Sequence, residues 1–149
     1  MNCKEALWII GLRLGHAMIF RPKGDSMKPM LQEGDIVTIA PAKYYRKGDI
    51  VLSKGVDGLV LHRFVGKVHG NLFFKGDALI SFDPSSSDRE ILGVAVARER
   101  GGKVVRLDTF GARFRGLGFC LATLLLPRLV PLLGALRRWV RRLTLRPFS

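Results

Sequence analysis

Between residues 36 and 108 the chain advances in short apolar runs, each cut by a Gly-Asp, Gly-Gly or Pro turn. The runs are IVTIA (36–40), DIVLSK (49–54), LVLHRFVGKVHG (59–70), LFFKG (72–76), ILGVAVARER (91–100) and KVVRLD (103–108). β-Branched runs of this length between turn residues read as strands, because a helix needs a longer periodic stretch to bury a face. The HGN turn folds residues 59–76 into a hairpin, and the glycine pair at 101–102 makes a second. DPSSSD (83–88) reads as a polar loop. No segment repeats at a period of 20–50 residues, which excludes a solenoid. The expected architecture is mainly β: a small, coiled, partly closed sheet.

Segments of different character flank this body, which is expected over residues 21–110. At 149 residues the chain has room for one core and an appendage. CKEALWIIGLRLGHAMIF (3–20) reads as an amphipathic helix interrupted by Arg13 and His16, within an N-terminal segment 1–20. It lacks both the continuous apolar run of a spanning helix and a following small-residue cleavage site. The tail, 111–149, includes a stretch (116–136) that is apolar except for Arg128 and is flanked by Arg113, Arg115, Arg137 and Arg138. Its length suits one bilayer crossing, but Arg128 near the middle costs about 2.5–3.5 kcal/mol, and Pro127 and Pro131 kink a helix. It can instead lie in the interface with Trp139 as an anchor, or pack as a helix on the core.

The charge balance separates the partner classes. The net charge is +13; residues 1–97 carry 13 Lys and Arg against 10 Asp and Glu, while 98–149 carry 12 against 2. A basic tail rich in leucine points to an anionic membrane surface, and the expected localisation is membrane-associated through this tail. Nucleic acid is not an expected partner: with two Trp and two Tyr, stacking aromatics are sparse. Two cysteines without metal spacing and three histidines offer no expected zinc site, and no cofactor is expected.

The chemistry centres on GDSMKPMLQEGD (24–35), where Ser26 lies between Asp25 and Met27 with Pro29 three positions on. A serine hydroxyl is a poor nucleophile until a base takes its proton. His62, in VLHRFVG, alternates with Val60 and Phe64 on one strand face, a setting that favours a neutral imidazole able to accept one. By itself His62 reads as an ordinary half-buried strand histidine rather than a base. His69 belongs to the HGN turn and His16 to the N-terminal helix surface. In FFKGDALISFD, Asp77 and Asp83 bracket the turn after the hairpin, and a carboxylate on the far nitrogen of the base would fix its tautomer. The plain alternative is that Gly-Asp is a turn dipeptide with a solvated aspartate, here and in EGD (33–35) and KGD (47–49).

Taken together, GDSMKPML, KGDIV, LHRFVG and KGDALISFD resemble, in order and spacing, the signal peptidase I family, in its histidine-base, endoplasmic-reticulum and archaeal type. The resemblance covers residues 20–97. It implies a serine endopeptidase that removes a signal or leader segment, with Ser26 as nucleophile and His62 as general base. Asp83 would orient the base and Asp77 support it; Arg63 matches the basic residue after the base, and Met27 and Pro29 match the scaffold of the serine box. The implied substrate is a precursor protein or peptide with small residues before the cut.

Three features depart from that family. Asp25 stands where signal peptidases mostly have glycine, and Gly24 where a hydroxyl can face the oxyanion. GDSM is a spelling associated with the related self-cleaving repressors; those use a lysine base, so His62 and the short segment before Ser26 set the expectation against self-cleavage. The apolar segment is C-terminal rather than just before the serine. A cytoplasmic leader peptidase acting on a modified precursor peptide is therefore the second reading, and a non-catalytic, basic membrane-surface protein the third.

Overall fold

The computed structural model describes residues 3–55, 58–83 and 90–125. Helix α1 (Cys3–Arg13) leads into strands β1 (Met18–Phe20), β2 (Ile36–Pro41), β3 (Ile50–Gly55), β4 (Gly58–Val68), β5 (Asn71–Lys75), β6 (Ile91–Arg100) and β7 (Lys103–Arg106). A second helix, α2, occupies 110–125. The strands form one antiparallel sheet in the order β1-β2-β6-β3-β4-β5, with β7 paired to β6. Register shifts at Thr38/Ile39, Leu52/Ser53 and Phe64/Gly66 coil it, as bulges do. Among the described residues the sheet does not close, and β1 and β5 are its ends.

Both expected hairpins form. β4 and β5 turn at His69 and Gly70, each with positive φ, and β6 and β7 turn at the glycine pair. The helix expected over 3–20 is shorter. The Gly15 N–H donates to Leu12 O and the His16 N–H to Gly11 O, with Gly15 at φ 90°. That pair of bonds closes the helix end in a Schellman arrangement, so Met18–Phe20 is free to pair with β2.

β3 is buried on both faces and separates two apolar clusters. Ile50 and Leu52 pack with Ile9, Leu12, Met27, Leu31, Val37 and Ile39 on one side. Val51 packs with Phe64, Leu72, Phe74 and Val94 on the other. α1 seals the first cluster through Ile9 and Leu12.

α2 packs on the sheet rather than departing from it: Ala112 and Cys120 are buried, and Arg113 pairs with the buried Asp49. Its other side exposes Phe110, Phe114, Leu121 and Leu125, and the rings of Phe110 and Phe114 stack at 6.3 Å. Among the described residues no helix is long and apolar enough to cross a membrane. The rest of the expected 116–136 segment, with Arg128 and the two prolines, lies outside the described residues, as do Trp139 and the DPSSSD loop beyond Asp83.

The aspartates of the Gly-Asp turns at 34–35, 48–49 and 76–77 are not solvated, contrary to the turn-dipeptide expectation. Asp35, Asp49 and Asp77 are all buried. Each meets an arginine from another element: Arg100, Arg113 and Arg63 respectively. Burial alone would raise the Asp35 pKa, but hydrogen bonds from Arg100 and from the Gln32 N–H outweigh it and hold the carboxyl below its ordinary value.

Candidate active site

Ser26 lies on the turn between β1 and β2, just outside the sheet. Two side chains of its own segment fix that turn: Met27 and Leu31 are buried in the first cluster, and the Leu31 N–H donates to Met27 O at 2.9 Å. A third anchor comes from the far side of the chain. The Ala78 N–H donates to Ser26 O at 2.9 Å, so the turn after β5 holds the serine backbone directly. Gly76 permits this approach, because a Cβ there would lie 2.6 Å from Ser26 O.

His62 sits mid-way along β4, opposite Val51, and is 8% exposed. Its Nε2 lies 3.3 Å from Ser26 Oγ and its Nδ1 lies 2.7 Å from Asp83 Oδ2. A carboxylate can only accept, so Nδ1 carries the proton and donates to Asp83. In the neutral imidazole Nε2 then has its lone pair facing the serine hydroxyl. The 3.3 Å separation is at the long end for such a bond, as is common before substrate binds. Asp83 is held by its own backbone, whose N–H donates to Phe74 O at 2.9 Å.

Asp77 belongs to a different arrangement. Its two oxygens accept from Arg63 Nε at 2.7 Å and Arg63 Nη2 at 2.6 Å, and Arg63 Nη1 donates to Gly48 O at 2.6 Å. The structure therefore brings Ser26, His62 and Asp83 into one hydrogen-bonded line and puts Asp77 on Arg63. Asp25, beside the nucleophile in sequence, turns outward to Lys28 Nζ at 2.9 Å. His16 and His69 are exposed and lie outside this line. Cys120 is no rival nucleophile: it is fully buried, and that burial pushes its thiol pKa up.

Ser26 borders a cleft of about 590 Å³, whose walls include Trp8 of α1, Ile19 and Phe20 of β1, and Leu59 and Leu61 of β4. The two strands each present an edge there. β1 pairs only with β2, and the β5 ladder on β4 begins at Arg63, so among the described residues the outer edge of 58–62 is unpaired. Sequence reasoning missed the contribution of Ile19 and Phe20, because a three-residue strand leaves no periodic signal, and that of Trp8, because nothing local to α1 tells which element its ring faces. The only trace was the Gly15 that ends the helix.

A serine on a turn, a strand histidine and a loop carboxylate, set on a coiled β-sheet beside a cleft, define a site of the serine-peptidase class. A family model described as Peptidase S24-like matches residues 5–105, and the chain belongs to that family. Membership places it among serine peptidases and self-cleaving repressors of related fold. No curated protein matches the chain.

Proposed function

We propose that the chain is a serine endopeptidase of signal-peptidase type, which cuts a signal or leader segment from a precursor protein with a histidine base. The observation that carries this reading is the line Ser26 Oγ, His62 Nε2, His62 Nδ1, Asp83 Oδ2, with separations of 3.3 and 2.7 Å, at the edge of the cleft. His62 takes the Ser26 proton as Oγ attacks the scissile carbonyl, and Asp83 stabilises the imidazolium that forms. The Ser26 backbone N–H serves as the oxyanion donor. The imidazolium returns its proton to the leaving amine, and water activated by His62 then hydrolyses the acyl-enzyme.

The cleft accounts for the polymer. An extended segment laid between the open edges of β1 and 58–62 can hydrogen-bond by its backbone, whatever its side chains. The preference for small residues before the cut comes from the family resemblance. The basic tail and the exposed Phe110 and Phe114 support docking on an anionic membrane surface, with the arginines facing lipid headgroups. Asp77 acts as a support, holding Arg63 beneath the turn that anchors Ser26.

The test is covalent labelling by a fluorophosphonate or penem, read by intact mass. A single adduct in the wild type, absent from Ser26→Ala and His62→Ala, is the expected result. An adduct that persists in either variant removes the assignment. Flotation with anionic vesicles across a salt series tests the membrane arm, and a DNA shift measured alongside distinguishes a nucleic-acid binder.

A further inference from the structure

α2 touches the catalytic turn from behind through Thr123, and it lies beyond residues 5–105 matched by the family. The turn 76–79 carries the Ala78 N–H that holds Ser26 O, and it leads into the loop that ends at Asp83. Besides the Arg63–Asp77 pair, a hydroxyl of α2 meets this turn. Thr123 Oγ1 lies 3.1 Å from Asp77 O, 3.4 Å from Leu79 O and 2.9 Å from Cys120 O. The same oxygen accepts from Lys75 Nζ at 2.6 Å, and Lys75 Nζ also donates to Gly76 O at 3.1 Å.

Lys75 is fully buried. A buried ammonium needs acceptors in fixed places, so the Thr123 oxygen and the Gly76 carbonyl hold it as much as it holds them. α2 cannot slide freely to adjust this contact. Gly116 lies against the Arg63 guanidinium, where a Cβ would come within 2.3 Å, and Arg113 pairs with Asp49 at the start of the helix. Helix, buried lysine and turn are thus bonded together behind Ser26 and Asp83.

The geometry points to Thr123 as a positioning residue for the reaction: by accepting from Lys75, which holds Gly76 O, and by sharing its one proton between Cys120 O and the turn carbonyls Asp77 O and Leu79 O, its hydroxyl sets the registry of Ser26 and Asp83 on His62. This rests on the proposed role of Ser26 as nucleophile. Thr123 touches neither substrate nor reacting atoms, and it acts by holding the backbone that does. Misplacement of reacting groups by about 1 Å can cost 10²-fold in rate, so loss of the hydroxyl is expected to slow acylation between about tenfold and 10²-fold.

The experiment compares Ser26 labelling rates across pH in the full chain for wild type, Thr123→Val, Thr123→Ser and the double variant Lys75→Met/Thr123→Val. Thr123→Val is expected to be slow and Thr123→Ser to recover, since serine returns the hydroxyl and valine keeps only the shape. The double variant removes both buried polar partners together, which favours a folded core, and it is expected to be slow as well. Thermal melts accompany each variant. Wild-type rates in folded Thr123→Val, or in the double variant if the single one does not fold, overturn the proposal. Should the wild type itself fail to label, the function reading falls, and an NMR titration of the His62 imidazole decides the positioning claim. A midpoint moved by Thr123→Val, or by the double variant where the single one is unfolded, with the wild-type midpoint kept in Thr123→Ser, upholds it; one unmoved in the folded variant overturns it.

Discussion

His62 and Arg63 are consecutive on β4, and each binds an aspartate from the segment after β5, yet the two pairs serve opposite ends. Strand alternation sends them to opposite faces. His62 reaches the cleft, gives one nitrogen to Asp83 and keeps the other 3.3 Å from Ser26 Oγ. Arg63 reaches the space under α2 and spends its donors on Asp77 and Gly48 O. Their distinction is one of unused capacity. A pair that leaves a lone pair facing an open cleft can move a proton; a bidentate pair sealed under a helix can only hold two segments together.

Substitutions that remove the serine or the base should break the comparison most sharply. Ser26→Ala and His62→Ala are expected to lower peptidase or acylation rates by roughly 10³- to 10⁶-fold, with melting temperatures near wild type. Asp83→Asn should lose up to about 10⁴-fold, because the amide cannot hold the same tautomer. On the other face, Asp77→Ala leaves a buried guanidinium unpaired and should cost about 3–5 kcal/mol in denaturant titration. If Asp77→Ala were as stable as wild type, the division of labour between the two aspartates would be wrong.

Gly76→Ala joins the two faces, since its added Cβ would meet Ser26 O at 2.6 Å. The expected cost is about 1–3 kcal/mol of stability, together with a fall in acylation rate as the serine backbone is displaced. Unchanged acylation would show that the turn does not set the position of Ser26.

The smallest effect concerns Asp35, outside the Ser26–His62–Asp83 line. Its carboxyl titrates lower in the folded chain than its ordinary value of about 3.9, so near that pH the unfolded chain binds more protons. The stabilisation from the Arg100 pair is present above about pH 4 and is lost as pH falls through the folded value. Denaturation midpoints of wild type and Asp35→Asn should therefore draw together in acid. A gap that is constant from pH 6 down to pH 2 would show that the charge on Asp35 contributes nothing.

Much of the sheet was legible because its signals are local. Turn glycines and β-branched runs mark β2 to β7 within a residue or two, and both hairpins follow from the HGN and Gly-Gly turns. β1 was not legible: three residues carry no period, and the preceding apolar stretch merges with it until the Schellman bonds at Gly15 separate them. The candidate site was legible as a set of motifs, Ser26, His62 and KGD followed by Asp83, because each lies in a recognisable turn or strand context. The partner of each aspartate was less so. The family resemblance offered Asp83 for the base, but Asp77 and Asp83 have similar neighbours in sequence, and only the direction its side chain takes in space puts Asp77 on Arg63.

By itself the sequence determined the mainly β architecture, the positions of the turns and the serine and histidine that its motifs single out. These depend on backbone preferences and alternation within a few residues. Tertiary structure alone decided that Asp35, Asp49 and Asp77 are buried ion pairs, that Trp8 and β1 wall the cleft, and that α2 sits behind the catalytic turn. Each of these joins groups far apart in the chain, where the outcome depends on how desolvation balances against a partner that local sequence cannot name.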